Sequence, residues 1–408
     1  MNKMNKIHFL LFSFLILVIC QDIKAQFTLT HDGVNREYYV SYPEGVVDPC
    51  PLIINLHNFN GSATFIQQYS EMDDYALPAN IAVVYPEGID NSWNVGAPWD
   101  NNTNDDVGFI DVLIDSVAAN FNINLDRVYA CGYSNGGYMA YELACELSHK
   151  IAAFGSVCGN FMYNSDQICD LDRLIPIIDF HGTGDPFVAY DVAFDGEFSD
   201  DGSLLINENI GFWMYVNSLT DTTIEQLPDI DTSDSTTVEK YSLYSEDHDA
   251  ELIHYKINDG GHQWFGSAMG DEHISYIGLN NHDIHVSEEL IDFFMNYRLS
   301  DFISVGIIDG LSFSIPTDYF LYQNYPNPFN PNTVIKFEIP VRSKINLTIY
   351  DTLGKKIRTL LNQTQDTGTK IILWDGKNEN GDPVSAGVYL YQIEAGKFVQ
   401  NRKMVLLK

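Results

Sequence analysis

The sequence predicts an α/β domain with a doubly wound, mainly parallel sheet, followed by a small C-terminal β-sandwich. Short apolar runs alternate with segments of helical spacing from residue 27 to about residue 297, as expected for strands covered on both faces. This pattern stops near residues 300–316, and short strand-like runs separated by Gly, Asn and Pro follow it. The chain of 408 residues is long enough for two such domains.

The elements of the first domain are predicted from these runs. Strands are expected at 38–42 (an edge strand), 52–56, 81–85, 128–131, 152–157, 175–180 and 254–257. Helices are expected at 107–121, 138–147 and 286–297. Residues 218–236 are rich in Thr, Asp and Ser, and we interpret them as an excursion from the core. Asp229, Asp231 and Asp234 there are either calcium ligands or part of a plain acidic loop.

The N-terminus has the pattern of a secretory signal peptide over residues 1–25. Lys3 and Lys6 precede a short apolar run at 8–20, and residues 23–25 offer a cleavage site before Gln26. A lipoprotein with an acylated Cys20 is the weaker alternative. No other stretch is long and apolar enough to cross a bilayer, so we expect an exported protein without a membrane span.

Five cysteines remain after the leader: Cys50, Cys131, Cys145, Cys158 and Cys169. Cys131 and Cys145 fall in segments that look buried, so both are interpreted as small core residues. Cys158 and Cys169 flank a loop-like stretch and are predicted to form a disulfide, with two free thiols as the open alternative. No Cys/His spacing resembles a zinc site, so neither a metal nor a cofactor is expected.

The charge is divided unequally between the two domains. Residues 27–316 hold 7 basic and 47 acidic residues, a net charge of −40, whereas residues 317–408 hold 12 and 8, a net charge of +4. So acidic a first domain repels nucleic acid and anionic membranes, and it suits an uncharged substrate. A solvated surface that keeps the protein soluble explains the same charge without any specific role.

One motif joins a predicted strand to a predicted helix. Gly132, Tyr133, Ser134, Asn135, Gly136 and Gly137 lie between the strand at 128–131 and the helix at 138–147. This is the context of a nucleophile elbow, in which a strained turn exposes the serine hydroxyl above the sheet. Ser134 is therefore the predicted nucleophile, and the backbone N–H of Asn135 is the first predicted oxyanion donor.

A nucleophilic serine needs a base, and the base needs an orienting carboxylate. Asp185 follows the strand at 175–180, and His262 follows the strand at 254–257. Both therefore fall at the carboxyl ends of strands, where sites form in α/β sheets, and their order Ser, Asp, His suits the elbow. His181 and Asp179 are rivals for these roles that we interpret as structural.

Further site residues are predicted from the loops around this edge. The second oxyanion donor is placed at Phe59, or at Asn58, in the loop after the strand at 52–56. Five residues are predicted to contact substrate: His57, Asn58, Trp93, Tyr133 and Trp264. Trp99 is a further tryptophan suited to a sugar or aryl site, although tryptophans near a pocket are as often packing residues.

Residues 36–297 resemble the poly(3-hydroxybutyrate) depolymerase-like, feruloyl and acetylxylan esterases, a family of α/β-hydrolases. The resemblance is carried by the motifs at 85–88, 93–96, 105–109, 127–129, 132–137, 181–185 and 260–264. It implies a Ser-Asp-His triad at the positions already chosen. Two residues depart from the family: Asn58 stands where Gly is usual, and Phe265 where Pro is usual. Asn58 tolerates a positive φ better than most other residues, should that position require one.

The tail resembles the C-terminal sorting domain of the type IX secretion system. The residues that carry the resemblance are Tyr325 to Pro331, Trp374 to Gly376, Gly387 to Tyr389, and Lys403 with Met404. The resemblance implies an export address that is removed at export, with the secretion machinery as partner. A carbohydrate-binding module is the alternative interpretation of a small β-domain.

Four segments follow: a signal peptide at 1–25, an esterase domain at 26–300, a linker at 301–316 and a sorting domain at 317–408. We expect a secreted or cell-surface serine carboxylic-ester hydrolase that forms an acyl-enzyme. Feruloyl or acetyl esters of plant-wall polysaccharide are the first predicted substrates, and polyhydroxybutyrate is the second. A binding protein that kept the fold but lost catalysis is the alternative of another class.

Overall fold

The computed structural model describes residues 23–162, 165, 169, 171–190, 206–302, 316–365 and 367–407. Residues 1–22, which hold most of the predicted leader, and residues 303–315 of the predicted linker lie outside the described residues. Among the described helices, none combines the length and the apolar character that a bilayer crossing requires.

The first domain is built on one sheet of ten strands. They are β1 (Ile23–His31), β2 (Val34–Tyr42), β3 (Cys50–Leu56), β4 (Ala82–Pro86), β5 (Ile123–Tyr133), β6 (Ala153–Val157), β7 (Ile177–Gly182), β8 (Asp221–Gln226), β9 (Thr237–Tyr244) and β10 (Leu252–Asn258). Their order is β1-β2-β4-β3-β5-β6-β7-β10-β9-β8. The six central strands in this order, β4-β3-β5-β6-β7-β10, run parallel. At each edge the last two strands are joined by antiparallel pairings, β1-β2-β4 on one side and β10-β9-β8 on the other.

Helices cover both faces of this sheet. They are α1 (Ala63–Ser70), α2 (Met72–Ala76), α3 (Asp106–Asn120), α4 (Asn135–Glu146), α5 (Ile206–Val216), α6 (Ile274–Ile277) and α7 (Val286–Phe294). The helices α3, α4 and α5 belong to one apolar core, and α1, α2 and α7 belong to the core on the other face. Burial on both faces explains why the central strands are mainly apolar. The predicted α/β-hydrolase architecture is confirmed.

Two predictions about the edges of the sheet are wrong. The strand predicted at an edge, β2, is covered by β1, whose ladder begins at Ile23 and so includes the last residues of the predicted leader. The stretch interpreted as an excursion contains β8, which pairs with β9 as the outermost strand. Most of β8 is exposed, so its sequence has no apolar alternation to indicate a strand.

The carboxylates of the acidic loop after β8 accept hydrogen bonds from backbone N–H groups of the protein. Asp234 accepts hydrogen bonds from the backbone N–H of Thr236 at 2.8 Å and of His282 at 2.9 Å. Asp231 accepts from the backbone N–H of Ser233 at 3.0 Å. These contacts are those of a hydrogen-bonded turn, which is the plain alternative to a calcium loop.

The disulfide prediction is wrong in one partner. Cys169 pairs with Cys145, the penultimate residue of α4, with their Cα atoms 4.8 Å apart. Cys158 is instead a buried free thiol, because it follows β6 at the opposite, carboxyl edge of the sheet. Its Sγ points to the carbonyl oxygen of Gln263 at 3.4 Å, and burial raises its pKa well above the usual value.

The second domain is a small β-sandwich, as predicted. Its strands are β11 (Phe320–Leu321), β12 (Thr333–Ile339), β13 (Ser343–Asp351), β14 (Lys356–Gln365), β15 (Gly368–Trp374), β16 (Gly387–Ala395) and β17 (Phe398–Leu406). They form sheets of the order β11-β12-β15 and β14-β13-β16-β17, with one apolar core between them.

The sandwich packs against the first domain through β12 and β15. Val334 and Ile371 join the apolar core that contains α5, and a Cβ at Gly211 would lie 3.3 Å from Leu373. Close approach at this glycine lets the helix lie directly on β15. The tail is thus a packed part of the molecule in this structure.

Candidate active site

The predicted elbow is formed by the end of β5 and the start of α4. Ser134 stands between them with φ 55° and ψ −118°, a strained conformation that is rare for a residue with a side chain. Its backbone N–H donates to the carbonyl of Val157 on the neighbouring strand at 2.8 Å, which holds the turn in place.

The glycines of the elbow are required by close backbone contacts. A Cβ at Gly132 would lie 2.2 Å from the carbonyl oxygen of Gly136. A Cβ at Gly136 would lie 2.3 Å from the carbonyl oxygen of Leu56. Neither distance is sterically possible, so any larger residue would displace the strand, the helix or both, as the sequence motif indicates.

The predicted acid and base are in direct contact. Asp185 follows β7 and His262 follows β10, which is the parallel neighbour of β7. His262 Nδ1 donates to Asp185 Oδ2 at 2.7 Å, and the carboxylate is fully buried. With Nδ1 engaged by the carboxylate, Nε2 is the ring nitrogen that would serve as a base.

The surroundings of Asp185 favour its ionised form. Burial alone raises the pKa of this carboxyl, but the charge and hydrogen bond of His262 lower it, and His181 and the Val188 N–H add to that effect. The net result is a pKa below the usual value. An ionised Asp185 is what a carboxylate that orients an imidazole requires.

Ser134 and His262 line the same cavity, which has a volume of about 550 Å³. It opens at the carboxyl edge of the parallel strands, where ligand sites in α/β sheets form. A cavity of about 580 Å³ lies elsewhere, beside Glu251 and Tyr297. It adjoins the amino end of β10 and so lies on the side of the sheet opposite the Asp185–His262 pair.

The predicted oxyanion site lies next to buried side chains. The backbone N–H of Asn135 lies in the first turn of α4, where N–H groups have no partner within the helix. The Asn135 side chain is bonded at both ends to the backbone of Trp93, at 2.7 and 3.1 Å. Phe59 and Asn58 border the cavity, and the positive φ of their loop falls on Asn60 rather than Asn58.

Two of the predicted substrate contacts are buried beneath this loop instead. His57 is fully buried, with Nδ1 donating to the Asn58 carbonyl at 2.8 Å and Nε2 accepting from the Gly88 N–H at 2.9 Å. Burial lowers the pKa of His57 to about 4, so its imidazole is neutral. Trp93 is also fully buried, and its Nε1 donates to the His57 carbonyl at 2.9 Å.

Trp264 is the third substrate prediction that the structure contradicts. It is fully buried, and its Nε1 donates to Ser287 Oγ on α7 at 3.1 Å. Its place two residues after His262 made it look like a pocket residue, but it anchors the His262 loop to that helix. Tyr133 does border the cavity, and its hydroxyl donates to the His262 carbonyl at 2.6 Å.

The cavity rim consists of aromatic residues that the sequence motifs do not mark. Trp99, Tyr138, Phe187 and Tyr276 line it, together with the predicted Phe59. Phe187 is 44% exposed, and its ring lies 5.3 Å from His262 and 5.4 Å from Tyr276. Trp99 and Phe59 were named from the sequence, whereas Tyr138, Phe187 and Tyr276 were not singled out as site residues.

Known proteins resemble both domains. Residues 332–397 match the family of FlgD Ig-like domains. The chain is 28% identical over 158 residues to the bifunctional acetylxylan esterase/xylanase XynS20E of Neocallimastix patriciarum, covering 39% of this chain and 22% of that protein. It is 30% identical over 174 residues to the probable feruloyl esterase C of Aspergillus terreus, covering 40% and 61%.

A more extensive alignment is to the putative esterase NocK of Nocardia uniformis, at 22% identity, covering 60% of this chain and 74% of that protein. The chain spans less than two thirds of XynS20E and of feruloyl esterase C. Among solved structures, the acetyl xylan esterase of Aspergillus awamori aligns at 12% identity with a TM-score of 0.45, covering 62% of this chain and 99% of that chain. The curated relatives are esterases by name, and residues 332–397 resemble an Ig-like domain.

Proposed function

We propose that the chain is a serine carboxylic-ester hydrolase with Ser134, His262 and Asp185 as its catalytic triad. One observation carries the proposal: the buried Asp185–His262 hydrogen bond of 2.7 Å lies on the same cavity as the strained elbow serine. The esterase names of the similar proteins support the same reaction class.

In the proposed reaction, His262 Nε2 accepts the Ser134 hydroxyl proton as the oxygen attacks the ester carbonyl. The negative charge on the carbonyl oxygen is stabilised by the backbone N–H of Asn135 and by the second proposed donor, Phe59. His262 then gives its proton to the departing alcohol. Water attacks the acyl-enzyme with the same histidine as base, which releases the acid and restores Ser134.

The proposed substrates are feruloyl or acetyl esters of plant-wall polysaccharide. The aromatic rim supports the aryl ester in particular, because rings packed edge to face or offset are stabilised beyond the area that they bury. Phe187 and Tyr276 are both exposed at the mouth, so an aryl group in the cavity would contact them first. The acidic first domain suits an uncharged ester and a neutral sugar.

A hydrolysis panel tests this proposal with methyl ferulate, acetylated xylan and polyhydroxybutyrate films. We expect kcat/KM to be highest for the ferulate, and we expect Ser134→Ala to lower it by at least about 10⁴-fold. Tyr276→Ala should raise KM for methyl ferulate by about tenfold and leave that for p-nitrophenyl acetate within about twofold, since the ring is proposed to contact an aryl group on the acyl side, where p-nitrophenyl acetate has only an acetyl group. Preference for the polyester films would identify the alternative substrate, and turnover that survives Ser134→Ala would reject the mechanism.

We also propose that the protein is exported and that type IX secretion machinery recognises the tail. The leader pattern at 1–25 and the sorting motifs of the tail support this proposal. The Cys145–Cys169 bond supports an oxidising compartment. N-terminal sequencing of protein from the culture medium should begin at Gln26, and mass analysis will show whether residues 317–408 are still attached.

A further inference from the structure

A second Asp–His pair lies in the interior, on the two strands after which the proposed acid and base follow. Asp179 on β7 is opposite His254 on β10 in the parallel register, and Asp179 Oδ2 lies 2.7 Å from His254 Nδ1. Both residues are buried, with 3% and 1% of their surfaces exposed. The proposed reaction uses neither of them.

A tyrosine hydroxyl group contacts each member of this pair. The Tyr141 hydroxyl donates to Asp179 Oδ1 at 3.1 Å, and the Tyr190 hydroxyl lies 2.7 Å from His254 Nε2. An ionised carboxylate only accepts hydrogen bonds, so His254 Nδ1 donates to it. The other ring nitrogen then accepts from Tyr190.

Tyr190 also lies five residues after Asp185, in the segment that follows β7. In this segment, the Asp185 loop, Asp185 Oδ1 accepts the backbone N–H groups of Phe187 at 2.8 Å and Val188 at 2.9 Å. The Val188 carbonyl lies 2.8 Å from the Nε2 atom of His181, on β7. Two buried histidines therefore hold the loop after Asp185, one at Val188 and the other at Tyr190.

We propose that Asp179, His254 and Tyr190 are positioning residues that fix the Asp185 loop so that its carboxylate meets His262. This inference rests on the proposed function, because it assigns these residues a role in the same reaction. Asp179 and His254 lie within the ladder between β7 and β10, so their position is set by the sheet. The hydrogen bond between Tyr190 and His254 holds the Asp185 loop against this part of the sheet.

The magnitude of such an effect follows from the geometry that proton transfer requires. A displacement of about 1 Å in a catalytic group can cost about 10²-fold in rate. Losing one of the two anchors should shift the carboxylate by less than that. We therefore expect about a tenfold loss in kcat from removal of the Tyr190 hydroxyl.

The test compares Tyr190→Phe with Tyr141→Phe as a matched control. Each variant removes one buried tyrosine hydroxyl from the same network, but only Tyr190 belongs to the Asp185 loop. Using p-nitrophenyl acetate well below the melting temperature, we expect Tyr190→Phe to lower kcat about tenfold with KM within about twofold. We expect Tyr141→Phe to keep kcat within about twofold at a similar loss of stability. Equal kcat values for the two variants would overturn the inference.

Amide hydrogen exchange of residues 183–190 provides a readout that does not need activity. We expect faster exchange in this segment for Tyr190→Phe and unchanged exchange for Tyr141→Phe. Unchanged exchange in both variants would overturn the positioning role whatever the kinetics show. A wild-type protein without ester turnover but with this exchange pattern would instead reject the proposed function and retain the anchoring of the loop.

Discussion

The two Asp–His pairs of this protein differ in what the far side of the imidazole meets. In both pairs a carboxylate from the β7 side holds Nδ1 of a histidine from the β10 side at 2.7 Å. His254 Nε2 is engaged by the Tyr190 hydroxyl, whereas His262 lines the cavity that Ser134 also lines. An Asp–His contact therefore has a structural role where a tyrosine hydroxyl binds the other ring nitrogen. Where the histidine lines the cavity, the same contact orients the proposed base.

The first prediction breaks the pair at the cavity. Asp185→Asn should lower kcat/KM for p-nitrophenyl acetate by about 10⁴-fold, because the imidazole loses both its orientation and the charge that stabilises its protonated form. The variant should remain folded, as checked by circular dichroism. A loss of less than about tenfold would show that Asp185 is not the orienting acid.

The second prediction uses a bond that belongs to neither pair. Reducing the Cys145–Cys169 disulfide, which closes a loop with a sequence separation of 24, should lower the free energy of unfolding by about 3 kcal/mol. Urea unfolding with and without reductant measures this change. Ester turnover of the folded protein should be unchanged, and its loss would connect this region to the site.

The third prediction breaks the interior pair. Asp179→Asn should lower the free energy of unfolding by about 2 kcal/mol, because it weakens the hydrogen bonds of two buried partners. Through the Asp185 loop it should also lower kcat, by no more than about tenfold. Urea unfolding and steady-state kinetics on the same preparation separate the two effects. A rate loss as large as that of Asp185→Asn would make the two pairs equivalent and contradict the comparison.

The smallest expected effect is a dependence of stability on pH. Because the pKa of Asp185 is depressed in the folded protein, its ionised form contributes stability above the unfolded pKa of about 3.9. That contribution is lost as the pH falls through the lower folded pKa. Between pH 6 and pH 3 the wild type should therefore lose more unfolding free energy than Asp185→Asn does. A stability advantage of wild type over this variant that grows on acidification would contradict the depressed pKa.

The sequence predicted the parts of the site that local patterns determine. Ser134, Asp185 and His262 each follow an apolar strand, and a parallel sheet brings the carboxyl ends of its strands to one edge. The order of the β strands was not needed for this conclusion. Strand ends were therefore sufficient to place three residues that are distant in the chain.

Other features depend on contacts that a single sequence does not display. His57, Trp93 and Trp264 lie next to site residues in the chain, but their rings are directed into the protein and bonded there. Whether an aromatic residue beside a motif faces the cavity or the core is decided by tertiary packing. The disulfide partner of Cys169 depends in the same way on where α4 ends.

Of the interior pair, only Asp179 was assigned a role from the sequence. Asp179 was interpreted as a structural residue rather than as the acid, and its buried contacts to Tyr141 and His254 agree with that interpretation. His254 was treated only as part of the next predicted strand, because the pairing of β7 with β10 crosses a long stretch of chain. Register across such a distance is a property of the folded sheet rather than of local spacing.

Labelling with a fluorophosphonate, read by intact-protein mass spectrometry and peptide mapping, tests the central claim most directly. The account predicts one adduct on Ser134 in the wild-type protein, none in Ser134→Ala, and strongly slowed labelling in Asp185→Asn. An adduct that persists in Ser134→Ala, or a folded wild-type protein that takes up no probe, would contradict it.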